Sequence, residues 1–284
     1  MTPLLSIHFF QALHTNPFLI LALVAGIVAS IASGITGSFI VVKRIVFISG
    51  SIAHSVLGGM GFFLWLKRTF HIGWITPLQG AVIAALVSAL FMSWVKVQYK
   101  EREDTIIAAL WSTGMALGVI FVALTPGYNV ELMNFLFGNI LWVSQEDIIT
   151  LVVLDIVVAG ITLLYYKRFQ AVCFDEDQAE LQGLSTNHIY SLLLCMIALS
   201  IVLLIQVVGS ILVIAILAIP AAVASYYTNK LAPMIFVAIG LSMLFTTLGT
   251  FLSYELNWPP GATIALTSAC VYAATLRKKG RTSR

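Results

Sequence analysis

His54 stands inside an apolar run, Gly50-Ser51-Ile52-Ala53-His54-Ser55-Val56-Leu57-Gly58-Gly59-Met60, with small residues on both sides. An imidazole at membrane depth costs free energy unless something binds it, so by default it marks a pathway or a site. Its ring nitrogens suit borderline metals such as zinc, manganese or iron. On spacing alone, a packed histidine with a satisfied ring is the alternative. Ser51, Ala53, Gly58 and Gly59 leave room for close helix approach under either reading. Asp155 is the second ionisable group in an apolar run, Val-Val-Leu-Asp-Ile-Val-Val. A charge at a helix centre costs roughly 3 kcal/mol in a bilayer, so Asp155 must be protonated, paired or turned toward an aqueous cavity. It is either a polar partner for a neighbouring helix or part of a cation route.

The elements that carry these residues follow from composition. Of 284 residues, 60% are hydrophobic and only 10% charged, against roughly 25% charged in soluble domains. The chain is expected to be an all-α polytopic membrane protein with no affinity for nucleic acid. The N-terminus lacks the basic, apolar and small-residue layout of a cleavable leader, so the first apolar run is expected to remain as a helix. Cys173, Cys195 and Cys270 are scattered without CxxC spacing, which points to neither a disulfide framework nor a structural zinc site.

A hydrocarbon core takes about 20 mainly apolar residues per helix. Nine segments qualify, within a range of eight to ten: 17–42, 45–66, 74–95, 106–124, 148–166, 189–208, 211–227, 234–253 and 262–276. Leu132–Val143 would reach only about 18 Å as a helix, so it is expected to be re-entrant or broken. Positive loops stay on the cytoplasmic side. With the N-terminus outside and the C-terminus cytoplasmic, 13 of the 15 lysines and arginines fall inside, leaving only Lys67 and Arg68 outside. Counting Leu132–Val143 as a full span would break that agreement.

Of the inside connections, 96–104 is a short mixed-charge loop with Asp104 placed to cap a helix beginning at Thr105. The segment 167–188 is longer, with Asp175, Glu176, Asp177 and Glu180 interspersed with Ala179, Leu181 and Leu184. That pattern suits a short amphipathic helix on the cytoplasmic face, as a linker or as a dock for a partner. The outer connections are short and rich in Pro and Gly, so a scarce substrate would have to be captured by another subunit.

There is no GxxxxGK[ST] phosphate loop, no HExxH pair and no GxSxG elbow. The chain is therefore not expected to be an enzyme, and any ATP hydrolysis would belong to a partner. Gly209-Ser210 separates two apolar stretches so abruptly that the turn is expected to lie partly within the membrane, and Pro220 adds an expected kink.

Several segments occur in an order that resembles the permease subunits of bacterial zinc and manganese ABC importers. They are Gly37–Arg44, Ala53-His54-Ser55-Val56-Leu57-Gly58-Gly59, Asp104-Thr105, Asn134–Gly138 with Glu146-Asp147, and Val208–Val213 running to Ile219-Pro220-Ala221-Ala222. The resemblance covers nearly the whole chain. It implies one permease domain over 1–284 in the bacterial cytoplasmic (inner) membrane, working as a homodimer or paired with a second permease. It further implies a cytoplasmic ABC ATPase and a periplasmic or lipid-anchored protein that delivers zinc, manganese or iron, with no permanently bound cofactor. His54 would be a transient gate ligand. Within 167–188, Asp175, Glu176, Ala179, Glu180, Gly183 and Leu184 would meet the ATPase. The resemblance departs at one place: the family usually carries an aspartate four residues before the histidine, and here that position is Gly50. Asp155 is one substitute for the missing carboxylate. A gradient-driven cation transporter or channel using His54 and Asp155 is the alternative function.

Overall fold

The computed structural model describes residues 13, 15–99, 103–127 and 143–282. Leu132–Val143, expected to be re-entrant or broken, lies outside the described residues except for its last one. Most of the described residues are helical, with no strand among them. The helices are α1 (Pro17–Lys43), α2 (Val46–Thr69), α3 (Pro77–Tyr99), α4 (Glu103–Leu124), α5 (Gln145–Phe174), α6 (Glu176–Leu181), α7 (Thr186–Val208), α8 (Ser210–Tyr227), α9 (Leu231–Leu256) and α10 (Pro260–Thr282). All nine expected spans fall on these helices. Seven of them, α1 to α5, α7 and α9, are long and apolar enough to cross a bilayer. Of the other two, α8 is an apolar helix of 18 residues that begins directly after Gly209, and the apolar part of α10 stops at Leu276, where the basic run beginning at Arg277 takes over.

Two further expectations are corrected. α4 begins at Glu103, so Asp104 sits in its first turn and does not cap it; acidic residues there face the positive end of the helix dipole. α5 does not stop at 166 but continues to Phe174. Beyond the apolar span it buries Phe169, Val172 and Cys173, a helical spacing that keeps one face packed although the opposite face is polar. Its start is fixed by a reciprocal cap: the Asp147 carboxylate accepts from the Ser144 N–H at 3.0 Å, and the Asp147 N–H donates to Ser144 Oγ at 3.1 Å.

The chain divides into two compact units. One comprises Met1–Val41, Leu136–Ile161 and Leu203–Arg284. Here α8, α9 and α10 pack on one another, and α1 approaches α9 so closely that a Cβ on Gly34 would lie 2.5 Å from Ile239. Ser30, Thr36 and Ser38 on α1 donate to their own i−4 carbonyls, which satisfies hydroxyls that have no water to turn to. Gly209 joins α7 to α8 at φ 83 and ψ 160, a region that is essentially glycine-only. The expected abrupt reversal is therefore a single residue long, and α8 runs on through Pro220.

The other unit comprises Val42–Phe135 and Thr162–Val202. Its centre is α2 packed against α3 and α4. Small residues set the distance: a Cβ on Gly114 would lie 2.5 Å from Ser55 Cα, and one on Gly118 would lie 2.8 Å from Leu57 Cγ. Lipid offers no hydrophobic drive for helix association, so van der Waals contact along such stripes supplies it.

Candidate functional site

His54 lies on α2 one turn after Gly50 and one turn before Gly58, on the side that meets α4. Its ring stacks on the Trp111 indole of α4, with centroids 4.7 Å apart and planes 21° from parallel. Among the described residues no hydrogen bond reaches the imidazole, which leaves both nitrogens open to a ligand. Trp111 also covers Gly50, where an added Cβ would lie 2.9 Å from the indole. The same seam continues upward: Ser55 Oγ donates to the Ser51 carbonyl at 2.9 Å and to the Leu110 carbonyl of α4 at 3.3 Å. Trp111, Gly114 and Gly118 therefore form one stripe of α4 at i, i+3 and i+7, laid along α2. Nothing in the reading of the sequence singled out Trp111. Its signal was that stripe, an indole in register with a GxxxG pair.

Asp155 belongs to the other unit. It is 7% exposed, and its Oδ1 accepts from the Ala32 N–H of α1 at 2.9 Å. Oδ2 is buried and has no hydrogen-bond partner among the described residues. Asp155 thus serves as a polar partner for a neighbouring helix and keeps one acceptor in reserve. Among the described residues, no three His, Cys, Asp or Glu side chains gather as a metal-binding group.

The segment after α5 is built by capping. The Asp175 side chain accepts from the Gln178 N–H at 2.9 Å, starting α6. Gly183, at φ 80, ends it: its N–H donates to the Glu180 carbonyl at 2.9 Å, and the Leu184 N–H donates to the Ala179 carbonyl at 3.1 Å. That pair of bonds needs a left-handed residue at position 183, which glycine supplies without strain. Of the apolar residues interspersed in this amphipathic pattern, Ala179 is buried but Leu181 is 89% exposed. Asp175, Asp177 and Glu180 are exposed beside it. A cleft of about 380 Å³ adjoins, bordered by Arg168, Gly183, Leu184 and His188.

Glu176 behaves differently from its acidic neighbours. One carboxylate oxygen, Oε1, takes the Lys43 ammonium at 2.6 Å and the Lys96 ammonium at 2.8 Å. Lys43 also donates to the Val172 carbonyl at 3.0 Å, and Lys96 stands 3.9 Å above the buried Tyr190 ring. Burial alone would push the Glu176 carboxyl up, but the two lysines outweigh it and hold the group below the usual carboxylate range. The ends of α1 and α3 are thereby tied to the start of α6. Lys43 and Lys96 are legible in the sequence only as topology signals; their meeting on one oxygen is not.

Residues 15–279 match the family model described as the ABC 3 transport family. A probable metal transport system membrane protein of Chlamydia pneumoniae is 43% identical over 267 residues, covering 93% of this chain and 91% of that protein. A manganese transport system membrane protein of Listeria monocytogenes is 31% identical, with 93% and 91% covered. Among solved structures, PsaBC of Streptococcus pneumoniae in complex with a Fab superposes with a TM-score of 0.81 at 30% identity, covering 95% of this chain and 94% of that one. Seven apolar helices together with these membrane-protein relatives make it a multi-pass membrane protein. The chain belongs to the ABC 3 transport family, as a membrane permease related to metal transport proteins.

Proposed function

We propose that this chain is the membrane-spanning subunit of an importer that passes a divalent transition metal ion inward, driven by a separate ATPase. Zinc, manganese and iron are the chemistry a histidine gate accommodates, and manganese is named for relatives about a third identical. The observation that carries the reading is His54: a stacked imidazole with no hydrogen bond to either nitrogen among the described residues, inside a span of a chain whose relatives are metal transport proteins. The exposed Leu181 with Asp175 and Glu180, beside the Gly183 and Leu184 cleft, is the surface offered to the ATPase from the cytoplasm. On this reading the chain crosses the membrane nine times with the N-terminus outside. It forms a permease domain that pairs with a second copy or a second permease, and a separate outer protein delivers the ion.

Reconstitution in liposomes tests this. Metal uptake that requires both the ATPase subunit and ATP, and that is lost in His54→Ala, is the expected result. Uptake by the lone chain without ATP would instead establish the gradient-driven alternative. Labelling of single cysteines placed in 96–104 and 254–261 from either side reads the orientation.

A further inference from the structure

We propose that Trp111 is a positioning residue for His54 and sets the metal selectivity of the gate, by occupying the space into which a side chain at position 50 would project. This rests on the reading of His54 as a ligand for the transported ion. A histidine that binds metal is normally oriented by a hydrogen bond from its other ring nitrogen. His54 has none among the described residues, and what fixes its plane is the indole at 4.7 Å. The α4 backbone that carries the indole is held close to α2, because Gly114 and Gly118 meet Ser55 and Leu57 with no room for a Cβ. A residue at position 50 would have to displace the indole, since its Cβ would stand 2.9 Å from the ring. Gly50 and Trp111 are therefore one feature: the glycine makes room for the indole, and the indole takes the space of a carboxylate.

The chemical consequence concerns the ion. A carboxylate beside an imidazole suits manganese and harder cations, whereas an imidazole alone suits zinc or ferrous iron. With position 50 unable to supply an oxygen ligand, the gate favours nitrogen-preferring ions over manganese. The π face behind the imidazole also supports the positive charge that the ring acquires when it holds a metal.

The experiment measures zinc(II) and manganese(II) uptake, separately and in competition, by proteoliposomes carrying the full transporter. Wild type, His54→Ala, Trp111→Ala, Trp111→Phe, Gly50→Asp and the double variant Gly50→Asp with Trp111→Ala are compared. Trp111→Ala is expected to raise the KM for zinc about tenfold with kcat and assembly unchanged, and Trp111→Phe, which keeps a stacked ring, to recover most of the loss. Gly50→Asp alone is expected to impair assembly or transport. Adding Trp111→Ala to it should restore transport and move the zinc-to-manganese preference about tenfold toward manganese, a strong departure from additivity. If the double variant does not assemble, the comparison of Trp111→Ala with Trp111→Phe decides. The proposal is overturned if both match wild type in KM and metal preference, or if Gly50→Asp is tolerated equally with and without the indole. Inactive His54→Ala beside those results would leave the importer reading standing; unchanged transport by His54→Ala would remove that reading itself.

Discussion

His54 and Glu176 are ionisable residues in the same unit, and they are held in opposite ways. His54 is fixed by shape: an indole against one face, small residues around it, and no hydrogen bond to its ring among the described residues. Glu176 is fixed by charge, with two ammonium groups on one oxygen and an aromatic ring under one of them. On the proposed function, His54 takes and releases an ion and has to keep its donor atoms open, so its orientation must come from packing. Glu176 ties α6 to two helix ends and is fully engaged, with strong and redundant partners. The first arrangement leaves ligand exchange possible at the cost of an unsatisfied ring. The second makes the motion of α6 inseparable from the ends of α1 and α3.

Removing His54 gives the largest expected effect. His54→Ala should lower metal transport about 100-fold while lowering the stability of the detergent-solubilised protein by no more than about 1 kcal/mol, the worth of the lost stack on Trp111, since no hydrogen bond reaches the ring among the described residues. A large fall in stability would show that the ring is a structural member and would erase the contrast with Glu176. Glu176→Ala should do the reverse. It removes the carboxylate that the Lys43 and Lys96 ammonium groups share, so unfolding should cost about 1–3 kcal/mol less. Metal affinity should stay as it was, and ATPase activity should become independent of transport.

How much of this contrast could be read from the sequence differs between its halves. The helices were legible because a bilayer imposes long apolar runs, and Gly209 was legible because the break is so short. His54 announced itself by its cost in an apolar setting. Trp111 did not: an indole in an apolar helix looks like any other packing residue, and its meeting with Gly50 and His54 is a tertiary contact between distant segments. The Glu176 knot brings together residues 43, 96 and 176, and no local spacing rule joins them. The extension of α5 to Phe174 was obscured by Lys167, Arg168 and Gln170, although Phe169, Val172 and Cys173 kept helical spacing. The missing carboxylate at Gly50 was visible as a gap, but only the structure shows what fills it.

The knot should also be visible in the pH dependence of stability, as a smaller effect than its removal. The folded-state pKa of Glu176 lies below its unfolded value, so its contribution is fully present above the unfolded pKa and is lost as pH falls through the folded one. Acid titration of stability should show a loss below the usual carboxylate range in the wild type that is reduced in Glu176→Gln. Equal acid profiles would mean that the lysines hold the segment without the charge.

The smallest effect on stability is expected at Leu181, which sharpens the distinction between tying a segment down and presenting it. Leu181 is 89% exposed on α6, only five residues from Glu176, so it adds almost nothing to the fold. Leu181→Ser should change stability by no more than about 0.5 kcal/mol. An exposed leucine among carboxylates is, however, the kind of apolar anchor that a partner buries, and truncating such an anchor costs more than about 1 kcal/mol of binding when it lies near the centre of an interface. Weakened co-purification of the ATPase with unchanged thermal stability is the expected pair of results. Undiminished co-purification would move the contact to the Arg168, Leu184 and His188 side of the cleft and leave α6 as a strut held by Glu176 alone.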